Sequence, residues 1–297
     1  MSKNTRFAPL ALLTVAAFWG GAFVIMKPAV DQQPIYDFLA SRFTLATLVM
    51  IAARPKVVLA FKPSLLRYGV PLGLLLGGGY ITQTIALQLT TAAITGFLTG
   101  LYVVLTPLIA FLFLKTRLNS RIGWGVVLAT VGLGFISING FNIEAGQLWG
   151  VACAVLFAAH IVGLGAWSPG RDVYALTVIQ LGTMAVLTWV GALTDGYQPP
   201  PNPDVWIAVV FTAVLATAVA FFIQTWAQSQ LDASRVAILL TSEIVFAAAF
   251  AVMVGQETLA LQTLIGGTLM VAAMLLVEWP GRKTTDTQRL LAQPHVE

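Results

Sequence analysis

Apolar residues fill this chain in long continuous runs broken only by short polar stretches, and that pattern limits its fold more than any single motif does. Of its 297 residues, 58% are hydrophobic and 9% charged, with a mean hydropathy of +0.86. A soluble globular chain carries about 25% charged residues. With so few charges a soluble fold could not cover its own surface, so the surface is expected to face lipid. The runs show no period-two alternation of polar and apolar residues, which disfavours an outer-membrane β-barrel. A transmembrane helix takes about 20 residues, so the chain has room for roughly ten spans and for no sizeable soluble domain.

Spans are expected at 9–30, 35–53, 68–89, 92–114, 121–138, 146–167, 174–194, 205–229, 234–254 and 259–279. The longest break runs from Asp195 to Asp204, where four prolines argue against helix. With the N-terminus placed inside, the cytoplasmic segments hold 14 of the 16 Lys and Arg residues. The external loops hold none and carry Asp31, Glu144, Asp195, Asp204 and Glu257. Such one-sidedness follows the positive-inside rule. It places both termini in the cytoplasm, supports an even number of spans, and explains the basic balance without a nucleic-acid partner. Lys3 and Arg6 before the first run could suggest a signal peptide, but the run is long and further spans follow, so it reads as a retained helix. Residues 1–8 then form a cytoplasmic N-terminus and 280–297 a polar cytoplasmic tail. Trp124, Trp149, Trp167, Trp206 and Trp279 sit near expected span ends, as interfacial anchors do. Cys153 lies within an apolar run and reads as a small buried filler.

Residues 82–125 superpose on 223–266 without gaps. Gln83-Thr84 falls on Gln224-Thr225, Leu98 on Leu239, Ala110 on Ala251 and Gly125 on Gly266. Lys115-Thr116-Arg117 falls on Gln256-Glu257-Thr258, so one connection is basic in the first half and acidic in the second. Two five-helix units of opposite orientation, residues 9–138 and 146–279, predict that inversion. The fold class expected is therefore an all-α polytopic membrane protein of ten helices, arranged as a 5+5 inverted-topology repeat.

Several stretches resemble signatures of the drug/metabolite transporter superfamily, EamA type. They are Trp19-Gly20-Gly21-Ala22-Phe23-Val24 with Lys27, Arg42-Phe43, Leu101-Tyr102-Val103-Val104-Leu105-Thr106-Pro107, Glu243-Ile244-Val245-Phe246-Ala247, and Gly255-Gln256-Glu257-Thr258-Leu259. The resemblance runs to about Trp279. It implies ten helices, both termini inside, no ATPase domain and export of small metabolites, with the superfamily's amino-acid exporters as the nearest functional analogy. One departure is Ile244, where the family usually has proline. A kink is thus expected at Pro107 in the first half rather than at the matching point in the second.

Polar groups inside a membrane face the bundle interior or a water-filled cavity. Thr95, Thr99, Tyr102 and Thr106 recur at helical spacing and are expected to form one wall of a cavity, although each threonine could instead bond back to its own helix. Tyr80, Gln83 and Gln88 in the third span, and Gln224 and Gln228 in the eighth, offer further polar groups; Gln83 and Gln224 coincide in the repeat. Glu243, matched to Tyr102, is the one carboxylate well inside an apolar span and could hold a substrate ammonium or a coupling proton. His160 sits mid-span and reads either as a site residue or as a satisfied structural group. Trp19 lies too deep for an interfacial anchor and could stack on a solute or pack in the core. Arg42 could attract a carboxylate, but Asp31, Asp37 or nearby carbonyls could also hold it, and that structural reading is the one adopted for it. Lys27 is expected to snorkel outward. Gly69, Gly73 and Gly77, and Gly96 with Gly100, suggest close helix packing.

The expected substrate-binding set is thus Trp19, Tyr80, Gln83, Thr95, Thr99, Tyr102, His160, Gln224 and Glu243, in a cavity lined by the first, third, fourth, sixth, eighth and ninth spans. No metal site is expected, since no second histidine or cysteine accompanies His160 at ligand spacing. No cofactor and no ATP drive are expected either, since the chain has no P-loop. The function read is a secondary transporter in the inner membrane exporting amino acids or similar metabolites, with possible proton coupling. The alternatives are a carrier of drugs or nucleotide sugars, a receptor, or a membrane-embedded enzyme using His160 and Glu243.

Overall fold

The computed structural model describes residues 7–89, 92–115, 120–137, 145–255 and 261–278. These residues form α-helices with no strand among them. The first is α1 (Ala8–Val30), then α2 (Ile35–Ala53), a short 3-10 turn over Pro55–Ala60, and α3 (Pro63–Leu89). There follow α4 (Ala92–Gly100), α5 (Tyr102–Leu114), α6 (Ser120–Ser137), α7 (Ala145–Trp167) and α8 (Val173–Ala192). The remainder are α9 (Pro203–Ala213), a π-helical stretch over Val214–Val219, α10 (Ala220–Gln228), α11 (Ala233–Leu240), α12 (Glu243–Met253) and α13 (Leu261–Glu278). Seven helices among the described residues are long and apolar enough to cross a membrane, and Leu98–Leu114 and Leu264–Ala273 are shorter apolar helices. The chain is a multi-pass membrane protein.

Local chemistry sets the boundaries. Asp172 and Asn202 accept hydrogen bonds from the backbone of Ala175 and Val205, each at 3.1 Å, and so cap α8 and α9. The proline-rich break is shorter than its sequence suggests. Pro203 and Asp204 form the first turn of α9, where a missing N–H costs nothing and an acid is favoured. The rest of that break is fastened to the α1–α2 corner. Asp37 accepts from Gln198 N at 2.9 Å, Gln33 donates to Gln198 O at 2.8 Å, and Tyr197 shares a hydrogen bond with Ser41 at 2.8 Å.

The burial pattern reverses that of a soluble protein. Phe113 and Met253 are each 78% exposed, while Arg42, Gln83, His160, Gln224 and Glu243 are buried. An apolar exterior of this kind needs lipid. The helices pack α6 on α13, α3 on α7 and α8, α2 on α8 and α9, α1 on α9 through α12, and α5 on α7 and α11. Glycine makes the α3–α8 approach possible. A Cβ on Gly73 would lie 2.5 Å from Thr183 and 2.7 Å from the Gln180 carbonyl. At Gly96, by contrast, a Cβ would meet nothing within 4 Å among the described residues.

Two helical rods are interrupted in mid-course, one at Leu101 and one at Thr241–Ser242. The second break needs no proline, contrary to the expectation drawn from Ile244. Thr241 and Ser242 turn their hydroxyls onto the carbonyls of Ile238 and Leu239, at 2.7 and 2.6 Å, which competes with the backbone ladder. The next N–H groups then shift to three-residue spacing, as in Ile244 N to Thr241 O at 3.3 Å. The first break has the same spacing, Val104 N to Leu101 O at 3.0 Å, upstream of Pro107. Directly after the breaks stand Tyr102 and Glu243. The third irregularity is the π stretch between α9 and α10, which lies against α1 and α2.

Candidate substrate cavity

A half-open cavity of about 560 Å³, counted out to its mouth, lies among α1, α2, α3, α5, α7, α10, α11 and α12. Seven of the nine residues singled out from sequence line it: Trp19, Tyr80, Gln83, Tyr102, His160, Gln224 and Glu243. The expected six spans all contribute, and α2 adds a seventh through Arg42.

The walls pair aromatic surface with a few polar atoms. Phe221 sits at the hub, with ring centroids 5.4 Å from Trp19, 6.0 Å from Tyr80 and 6.4 Å from His160. Trp19 Nε1 donates to the Ala216 carbonyl at 2.8 Å, so its polar end is held and only its ring surface remains for contact. Gln180 Nε2 donates to the Leu176 carbonyl, which turns Gln180 Oε1 toward His160. His160 Nε2 is therefore the donor in their 2.8 Å hydrogen bond. Gln83 donates to Thr99 at 3.4 Å. Gln224 Nε2 donates to Gln228 at 2.9 Å, leaving Gln224 Oε1 buried without a partner. The Tyr102 hydroxyl is likewise buried and unpartnered. Most buried polar groups are hydrogen-bonded, so two exceptions on one cavity mark places for a ligand atom or water. Glu243 occupies the first turn of α12, where the helix dipole favours a carboxylate.

Of the four members of the threonine stripe, Tyr102 lines this cavity, and the three threonines are not among its lining residues. The break at Leu101 divides the stripe between two helices. Thr99 faces α3 and α7, meeting Gln83 and, at 3.7 Å, the buried Cys153. Thr95 and Thr106 are also buried.

Arg42 is held by neutral groups, a hydroxyl and a carbonyl, and not by the carboxylates that the sequence offers it. Asp37 is committed to the 193–202 loop, and no carboxylate among the described residues lies within 4.0 Å of Arg42. Its Nε donates to Thr217 Oγ1 at 2.8 Å, in the π stretch, and its guanidinium lies 4.8 Å from the Tyr80 ring centre. Phe221 and Thr217 were missed. The signal for Phe221 was available, since it falls on Tyr80 at the repeat spacing. Thr217 carried none.

The lining residues recur at one separation. Trp19 and His160, Tyr80 and Phe221, Gln83 and Gln224, and Tyr102 and Glu243 are each 141 positions apart (160 − 19). The EamA-like transporter family matches residues 6–138 and again residues 144–279. The chain belongs to the EamA-like transporter family. An uncharacterized transporter of Archaeoglobus fulgidus is 33% identical over 272 residues, 91% of this chain and 85% of the relative. The uncharacterized transporter YoaV of Bacillus subtilis is 23% identical, covering 90% of this chain and 95% of its own length. A biotin transporter of Escherichia coli is 24% identical over 63% of this chain and 67% of its own. A solved crystal structure superposes with a TM-score of 0.78 at 20% identity, covering 93% of this chain and 97% of the other, and shares the fold. Membership in the EamA-like family makes the chain a transporter of a small molecule across a membrane.

Proposed function

We propose that the protein is a secondary transporter of the inner membrane that exports amino acids or closely similar metabolites by alternating access. Ten spans in two sets of five, inserted in opposite senses, would carry it. The observation on which this rests is the cavity lined by four residue pairs at the separation of 141. Two similar units enclosing one site can exchange conformations and open it to either side in turn.

The helix packing supports the same reading. Let α1 exchange with α7, α2 with α8, α3 with α9–α10, α4–α5 with α11–α12, and α6 with α13. The pairs α6/α13 and α2/α8 then map onto themselves. The pair α3/α7 maps onto α10/α1, and α1/α12 onto α7/α5, all of which pack. The two broken rods also correspond, since Tyr102 and Glu243 open α5 and α12. Interrupted helices that meet at a central site are a recurrent device of secondary transporters. The chemistry suits an amphipathic solute: aromatic surface for a side chain, and Arg42, Tyr102, Gln224 and Glu243 for charged head groups. The Lys and Arg asymmetry of the loops supports cytoplasmic termini.

The test is uptake of radiolabelled amino acids into proteoliposomes of the purified chain at two pH gradients, with biotin included because of the Escherichia coli relative. Saturable movement of an amino acid, chemically unchanged, is the expected result. Chemical conversion, or movement of other solute classes alone, would overturn the assignment. Rates that ignore the pH gradient would exclude proton coupling.

A further inference from the structure

Arg42 is buried to 1% exposure on the cavity wall, and among the described residues no carboxylate lies within 4.0 Å of it. A guanidinium carries five N–H donors. Here Nε is well used, at 2.8 Å to Thr217 Oγ1, but the remaining contacts are poor. Nη2 reaches the Ala216 carbonyl at 3.5 Å, a carbonyl already taken by Trp19, and Nη1 meets only the Met26 sulfur at 3.6 Å. The rings of Tyr80 and Phe43, at 4.8 and 5.5 Å, offer cation–π attraction, and the Tyr80 hydroxyl adds a neutral polar neighbour, but neither brings a negative charge. Burying a charge is costly unless it is paired and hydrogen-bonded. The two Nη atoms present the planar fork that matches a carboxylate bidentately. Thr217 fixes the opposite side of the group, so the fork is oriented before any solute arrives. Glu243 lines the same cavity without forming an ion pair with Arg42, so the guanidinium and the carboxyl group stand apart on its walls.

We propose that Arg42 is the anchor for a carboxylate on the transported solute. The inference rests on the cavity being the solute site, as proposed above, and narrows the solutes to those that carry a carboxylate. For an amino acid, the carboxylate sits on Arg42 and the ammonium lies toward Glu243.

The test is calorimetric binding to the full chain in lipid nanodiscs, using acids and their matched amides: phenylalanine and phenylalaninamide, leucine and leucinamide, biotin and biotinamide, with 3-phenylpropanoate and phenethylamine to separate the two charges. A charge-assisted bidentate pair predicts acids binding about 10- to 100-fold more tightly than amides. Arg42→Gln should bring that ratio close to one. An amide that binds the native protein as well as its acid overturns the proposal, as does an unchanged ratio in Arg42→Gln. Should that variant fail to fold, phenylglyoxal modification of Arg42 in the native protein, read by mass spectrometry, decides. Protection by acids but not amides supports the anchor, and equal or absent protection refutes it. Binding of 3-phenylpropanoate and biotin without any amino acid would retain the anchor and discard the amino-acid reading. Amino acids that bind with no acid preference would do the reverse. No binding by any acid in the panel discards both.

Discussion

Gly20→Ala tests the geometry of the site without touching a polar group. Gly20 lies where α1 crosses the first turn of α12, and an added Cβ would stand 2.7 Å from Ala247 N, the Glu243 carbonyl oxygen and Phe246 Cβ. Ordinary van der Waals contact begins near 3.4 Å, so the two helices must separate by about 0.7 Å or more. Two of the three obstructing atoms belong to backbone and cannot rotate away. Overpacking of this kind costs roughly 1–3 kcal/mol, or several degrees in melting temperature. The displacement also moves Trp19 relative to Glu243 across the cavity. The neighbouring Gly21 is the control, because a Cβ there would meet Phe211 and Phe250 no closer than 3.7 Å. Tryptophan fluorescence during thermal unfolding in detergent, together with proteoliposome uptake, is the assay. Gly20→Ala should lower both stability and uptake, and Gly21→Ala should lower neither appreciably. Equal behaviour of the two variants would refute the claim that α1 and α12 meet at Gly20 to set the width of the cavity.

Tyr102→Phe removes a buried hydroxyl that has no partner. The melting temperature should stay level or rise slightly, while solute affinity falls about 10-fold if that hydroxyl binds solute; a clear loss of stability would mean that it is satisfied within the protein. Glu243→Gln keeps the shape and removes the ionisable carboxyl, and should weaken binding of ammonium-bearing solutes while sparing carboxylates that lack an amine; equal effects on both, measured by calorimetry, would remove Glu243 from the site. Replacing Thr241 and Ser242 together by alanine takes away the hydroxyls that compete for the Ile238 and Leu239 carbonyls, and should heal the break, raise amide protection around Glu243 and slow transport; uptake at the native rate would show that the break is not needed. Thr217→Val withdraws the acceptor from Arg42 Nε and, as a hydrogen bond to a charged group, should cost about 1.5–3 kcal/mol in thermal stability; no change would mean that another group holds the guanidinium.

Different physical signals decided which features could be read in advance. The helices follow from apolar runs too long for anything but spans, and the pairing of Gln83 with Gln224 follows from gapless register. Sequence proximity suggested Asp37 as a partner for Arg42, whereas in the fold Asp37 turns to the backbone of Gln198 and a hydroxyl and a carbonyl hold the guanidinium. The threonine stripe was read from helical spacing, which assumes one unbroken axis, and the axis breaks at Leu101 between Thr99 and Tyr102. The π stretch was invisible. Val-Leu-Ala-Thr-Ala-Val contains neither glycine nor proline, and nothing in it announces that the Ala216 carbonyl and Thr217 hydroxyl will serve Trp19 and Arg42. The break before Glu243 was underestimated because a proline was sought, while Thr241 and Ser242 produce it with their hydroxyls.

The opposed orientation of the two halves is tested most directly by labelling single cysteines in a Cys153→Ala background with a membrane-impermeant maleimide, in intact cells and in inverted vesicles. Ala53 and Thr194 are both exposed and occupy matched positions, 141 residues apart. A cysteine at 194 should react in cells and one at 53 only in inverted vesicles. Reaction of both from the same side would contradict the two-halves account.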